Sequence, residues 1–351
     1  MSSYGLPVFI GLGVIMALVL VLPFSVRWVE EELEAFLLVM GCLAVSISRL
    51  WTGHLVAETL AEPIKISCAV LLFGFAFRHL RGAIANGVSR LSRRLGLPLF
   101  SFVLVVALGL ASSVVTAIVA ALVLVEAISA LRLDRDTERS LVILACYSIG
   151  LGAALTPIGE PLSTIATARL AGPPHNADFF FLAKLLWPWL LPGMLVLGAL
   201  AARKSGGIIT RSKGLSQETS EDAWAVFRRA LKVYVFVSAL VLLGHGLSPL
   251  VGRWLVRMPA NALYWANLSS AALDNATLAA AELSPRMDID RIRAVLIALL
   301  VSGGMLIPGN IPNIISAEKL GIKSREWARA AVPLGLVMMT VYFIALKIVA
   351  P

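Results

Sequence analysis

The sequence predicts an all-α membrane protein made of two copies, in opposite membrane orientation, of a re-entrant hairpin followed by a broken transmembrane helix. Three observations carry that expectation. Of 351 residues, 59% are hydrophobic and 15% charged, with a mean hydropathy of +0.88, so the bilayer and not water is the solvent. Two long apolar segments are interrupted by paired prolines, TPIGEP at 156–161 and IPGNIP at 307–312. Two more, 97–131 and 259–285, are interrupted by small polar residues.

A crossing helix needs roughly 20 apolar residues. Complete spans are expected at 5–26, 33–48, 63–80, 138–170, 181–202, 224–244, 290–318 and 327–349. The first carries no charge; with no basic residue before it and no small-residue cleavage site after it, it reads as a span and not a signal peptide. The segments 97–131, broken at Ser112, Ser113 and Thr116, and 259–285, broken at Ser269, Ser270, Asp274 and Asn275, are too short for two comfortable spans each. Each is therefore expected to enter and leave on one side, its tip protected by protein or lining a cavity. In 138–170 and 290–318 the prolines remove a donor and clash with the preceding turn, so the helix unwinds mid-span.

These interruptions recur. A shift of 151 residues puts Pro157 on Pro308, Pro161 on Pro312 and Gly152 on Gly303, and a shift of 158 puts Ser112 and Ser113 on Ser270 and Ala271. Three complete spans separate the hairpins, an odd number, so the hairpins enter from opposite sides, the inverted-topology arrangement that places a site at the midplane of secondary transporters. The first copy occupies 1–203, with scaffold spans within 5–80, hairpin 97–131, broken helix 138–170 and span 181–202. A polar cytoplasmic linker is expected at 204–222. The second copy occupies 223–351, with span 224–244, hairpin 259–285, broken helix 290–318 and span 327–349.

About two thirds of the 30 Lys and Arg fall in the loops near 27, 78–95, 132–139, 203–232 and 319–329, which makes that side cytoplasmic and leaves both termini on the other side. The net charge of +9 thus reports orientation and not a nucleic-acid surface. Cys42, Cys68 and Cys146 lie apart in apolar stretches, and His54, His79, His175 and His245 are scattered, which argues against a disulfide or transition-metal framework.

Asp274 and Asn275 stand at the second hairpin's tip in NLSSAALDNATLAAAEL, where a carboxylate in an apolar setting costs a few kcal/mol and needs compensation. They read as cation ligands or a proton carrier, the alternative being a helix N-cap at the membrane surface. Glu160, in the first break, is the second acid, unless it lies at the interface. Asn310 and Asn313 occupy the second break, and Glu126, in the first hairpin's returning arm, is either a third intramembrane acid or a snorkelling end. Ser113, Thr116, Thr156 and Ser270 offer neutral oxygens to a hard cation, unless they bond their own backbone.

On these residues a resemblance becomes specific. SAALDNATLAA resembles the serine-to-DN hairpin motif of the ion transporter superfamily, LGAALTPIGEPLSTIA its broken helix, and SGGMLIPGNIPNIISAEKLGI the second-half signature. The sequence is most similar to a family of predicted cation transporters of unknown function, related to the D-type sodium/proton antiporters and the arsenite permeases. The resemblance implies an elevator mechanism, usually in a homodimer, and places ion ligands at Asp274, Asn275, Thr156, Glu160, Asn310 and Asn313, with Asp274, Asn275 and Glu160 holding a sodium-like cation. The sequence departs from the antiporter pattern at Thr116-Ala117, where an acid–amide pair is expected.

The expected function is secondary active transport of a small inorganic cation, with sodium/proton antiport as the leading form, in the inner membrane of the cell. No resident cofactor is expected; the ligands are the cation and protons, and the partners are the bilayer and a second copy. The alternative is an anion or oxyanion carrier, since helix N-termini at the breaks favour negative charge. A membrane-embedded hydrolase is more remote, because the sequence holds no HExxH or GxSxG, and an enzyme is not expected.

Overall fold

In a computed structural model of the protein, residues 4–26, 28–29, 32–131, 133–206, 223–254, 258–273 and 275–349 are described. Among them every regular element is a helix. In chain order these are α1 (Leu6–Ser25), α2 (Leu33–Ser48), α3 (Gly53–Leu95), α4 (Leu97–Val115), α5 (Ala117–Leu131), α6 (Arg135–Ala153) and α7 (Pro161–Arg169). They continue with α8 (Phe181–Ser205), α9 (Ala223–Trp254), α10 (Ala260–Ala266), α11 (Asn275–Glu282), α12 (Ile289–Gly303), α13 (Ile311–Leu320) and α14 (Ser324–Val349). Tight 3-10 turns occupy Asn267–Ala271 and Ile307–Gly309.

Among the described residues five helices, α1, α4, α8, α9 and α14, are long and apolar enough to cross a membrane. Their burial sorts the molecule into rim and centre. In α1 and α14 only 22% of the apolar window is buried, and Val14, Val21, Val341 and Ile348 point outward; hydrocarbon, not water, suits such faces. By contrast α6 is buried without interruption from Leu141 to Ala153, and α12 from Val295 to Gly303. A helix apolar on every side belongs in the middle of a bundle, and these are the two helices that break. Away from them, α9 packs along α2 and α3.

Two expectations need correction in extent. The span expected at 63–80 is part of a continuous 43-residue helix, about 64 Å long at 1.5 Å per residue, which runs through Pro63 and starts where Thr52 accepts from the Leu55 N–H at 3.1 Å. The outgoing arm of the first hairpin, α4, has 19 residues and is itself long enough to span. Of the linker expected at 204–222, residues 207–222 lie outside the described residues, and 204–205 finish α8.

The segment 97–131 nevertheless doubles back. Ser148 Oγ donates to the Val105 carbonyl at 2.8 Å, Ser112 Oγ to the Ile149 carbonyl at 2.9 Å, and Thr156 Oγ1 to the Ser113 carbonyl. These contacts climb α4 and α6 in the same sense, so the two are parallel and α5, which joins the end of one to the start of the other, must return. In the second half Arg291 Nη2 donates to the Met258 carbonyl at 3.0 Å and Ser302 Oγ to the Asn267 carbonyl at 2.7 Å. Here α10 and its 3-10 turn run parallel to α12, and α11 returns.

Candidate functional site

Both breaks have the same backbone. Leu155 N–H bonds Gly152 O at 3.1 Å, as Met305 N–H bonds Ser302 O at 3.0 Å. Gly159 N–H bonds Thr156 O at 3.1 Å, as Gly309 N–H bonds Leu306 O at 3.3 Å. Thr164 N–H bonds Glu160 O at 3.3 Å, as Ile314 N–H bonds Asn310 O at 3.4 Å. The offset is 150 residues, one less than the proline alignment gives. Pro161 therefore takes the first position of α7 and Pro312 the second of α13, both tolerated because no intrahelical N–H is needed there. At this register Glu160 matches Asn310, both extended N-caps (φ −155° in each), and Ser163 matches Asn313. Only glycine fits at 159 and 309, since a side chain would strike the carbonyl of Ala153 or of Gly303, the last residue of the preceding helix.

The first hairpin's tip locks onto the first break. Thr116 holds φ at +77°, a region that costs a β-branched residue of order 1–3 kcal/mol. That conformation lets Ala117 N–H donate to the Gly159 carbonyl at 2.9 Å, while Thr116 Oγ1 accepts from Val119 N–H at 3.4 Å. Thr156 reaches the Ser113 carbonyl, whereas Ser113 Oγ turns to the Leu110 carbonyl at 2.7 Å. Below the tip α4 and α6 touch backbone to backbone, because a Cβ on Gly152 would collide with the Gly109 carbonyl. Glu160 is buried, and its carbonyl accepts from Ser163 Oγ at 2.7 Å.

Around the second break the donors are neutral among the described residues. Asn313, fully buried, donates through Nδ2 to the carbonyls of Gly303 and Leu306, both at 2.9 Å; it thereby caps the end of α12. The Nδ2 of Asn275, also buried, has no hydrogen-bond partner and lies against Gly303. Ser270 Oγ donates to the Leu299 carbonyl at 3.4 Å, and Gly309 sits on the Ser270 and Ala271 carbonyls. Asn310 Nδ2 would be 2.8 Å from a Cβ on Gly150, so the second break rests directly on the first broken helix. Asp274 lies outside the described residues.

Each return arm crosses to the opposite half: α11 packs on α7 and α5 on α13. Glu126 belongs to the second of these contacts. Its carboxylate pairs with the Lys319 ammonium, each side chain 6% exposed, so in this conformation it is an inter-half ion pair and neither snorkels nor faces an open site. Sequence reasoning missed that partner, 193 positions away, and missed Glu282, whose Oε2 accepts from Asn267 Nδ2 at 3.0 Å. The available signal for Glu282 was an acid in the same apolar stretch as Asp274, eight residues on.

The arrangement brings together Ser113, Thr116, Thr156 and Glu160 at one break, and Ser270, Asn275, Asn310 and Asn313 at the other. Oxygen donors with one carboxylate suit a hard cation. No group of three or more His, Cys, Asp or Glu that could hold a metal ion occurs among the described residues. A groove of about 1030 Å³ between α8 and α14, lined by Trp189, Leu197, Val337, Met338 and Tyr342, contains none of these residues and opens on the apolar rim.

The family described as Protein of unknown function (DUF1646) matches residues 9–349 of the chain. No curated protein matches it.

Proposed function

The chain belongs to that family over almost its whole length, and on the geometry of its two breaks we propose that it is a secondary active transporter of a small inorganic cation, with sodium/proton antiport as the leading form. The observation that carries the reading is the pair of broken helices with the same backbone hydrogen bonds 150 residues apart, each seated against a hairpin. An unwound, buried backbone is expensive unless it lines a protected site. Two of them at the centre of an apolar bundle, with half-helix N-termini at Glu160 and Asn310, match the way midplane ion sites are made.

In this reading the two halves are inverted repeats of an ion transporter superfamily fold, and the hairpins and broken helices move as an elevator against the α2, α3 and α9 scaffold. The molecule works as a homodimer in the inner membrane, with both termini on the non-cytoplasmic side. Asp274, Asn275 and Glu160 bind the cation, and Asp274 exchanges it for a proton because a single carboxylate cannot hold both. Purified protein in liposomes, tested with sodium, lithium, potassium and calcium gradients against a pH-sensitive dye, should show cation-dependent proton movement that Asp274→Asn abolishes. Proton movement unchanged in Asp274→Asn removes the exchange mechanism; uptake of arsenite or a carboxylate without any cation response replaces the cation reading with the anion one.

A further inference from the structure

The second hairpin contains a buried acid that the cation site does not use. Glu282 ends α11 and is only 5% exposed, and Asn267, at the start of the 3-10 turn, is wholly buried. Asn267 is fixed from behind, since its own carbonyl accepts from Ser302 Oγ at 2.7 Å. One hydrogen bond joins the pair, from Asn267 Nδ2 to Glu282 Oε2 at 3.0 Å. The two polar atoms left over are Glu282 Oε1 and Asn267 Oδ1, both buried and both without a hydrogen-bond partner.

Both leftover atoms are acceptors when Glu282 is ionised. An unpaired buried acceptor costs about 1–3 kcal/mol, more when it is charged. A single proton on Oε1 satisfies both, because the acid O–H then donates to Asn267 Oδ1 while the amide N–H donates to Oε2. Carboxylic acid and amide would face each other through two antiparallel hydrogen bonds.

The surrounding charges do not supply a substitute. On α12, the Arg291 guanidinium is bonded to the Met258 carbonyl and forms no ion pair with Glu282. Arg293 of the same helix is held by Asp290, and His245 on α9 faces Glu58. On α7 the one charged side chain is Arg169, in its last turn.

We propose that Glu282 and Asn267 form a proton-binding site separate from the hairpin tip, where the proton is held as a neutral acid–amide pair eight residues beyond Asp274. Its part in transport rests on the reading above; its protonation does not. The site would give the second hairpin a place to hold a proton while a cation occupies the tip.

The test is infrared difference spectroscopy of the reconstituted protein at neutral pH, in light and heavy water. Wild type should show a carboxylic-acid C=O band that shifts in heavy water and is missing in Glu282→Gln. That variant offers an amide N–H where the acid has its O–H, so its thermal midpoint should match wild type. In Asn267→Ala the band should move to higher frequency, as the C=O loses its donor. Absence of a band that Glu282→Gln removes, or a band that Asn267→Ala leaves in place, overturns the pair. In the pH-dye assay Glu282→Gln should lower the number of protons moved per cation, and an unchanged ratio overturns the transport role. If wild type moves no cation at all, the transport reading fails, while the infrared bands still decide the protonation.

Discussion

Removing the side chain of Asn313 tests whether the second break is held by one residue. In Asn313→Ala the two 2.9 Å bonds to the Gly303 and Leu306 carbonyls disappear, and no water is expected to replace them at a fully buried position. Each lost bond removes about 1 kcal/mol, and each stranded acceptor adds part of its desolvation cost, giving about 2–4 kcal/mol in total. The hydroxyl of Ser163, the matching position of the first break, bonds only the backbone of Glu160, and the capping bond from the Ser163 N–H to the Glu160 side chain survives its removal, so Ser163→Ala should cost about 1 kcal/mol. Thermal midpoints of the detergent-solubilised variants give the ranking. With the other seven tryptophans replaced by phenylalanine, Trp327 supplies a local reporter, because its Nε1 donates to the Gly304 carbonyl at 3.2 Å within the same break. Its emission should change in Asn313→Ala and not in Ser163→Ala. Equal midpoints, or a larger loss in Ser163→Ala, would refute the view that Asn313 fastens the break.

Glu126→Gln leaves the Lys319 ammonium buried without its counter-charge and should destabilise by about 3 kcal/mol; the double variant Glu126→Gln/Lys319→Met should recover most of that, and no recovery would argue against a pairwise contact between the halves. Cysteines placed at Asp136 and Arg286, exposed near the bases of the first and second hairpins, should react with an impermeant reagent from opposite sides of the membrane, and labelling from one common side would eliminate the inverted arrangement. Asp134 caps α6 by accepting from Thr137 N–H at 2.9 Å, which holds its carboxyl below the usual range. A lowered value means that the cap stabilises above the unfolded value of about 3.9 and fades as pH falls through the folded one, so Asp134→Ala should cost about 1 kcal/mol at neutral pH and nothing in strong acid. A gap between wild type and variant that persists in acid would show that the cap does not depend on ionisation.

Where the chain is apolar and where its helices stop can be read from the residues alone. Hydropathy is local, and a proline removes its donor wherever the helix packs, so 156–161 and 307–312 could be placed as breaks and 97–131 as a doubled-back segment without any tertiary information. Thr156, Glu160, Asn310 and Asn313 were legible for the same reason, as polar residues inside those breaks. Register and partners come from how the helices pack. Prolines occupy either of the first two positions of a half-helix at little cost, so their alignment missed by one the offset of 150 that the backbone hydrogen bonds display. Glu126 read as ambiguous because the Lys319 that neutralises it lies 193 residues on, and which helices become neighbours is set by packing across the whole bundle. Glu282 passed unnoticed because its burial and its Asn267 partner exist only once the second hairpin has folded back on itself.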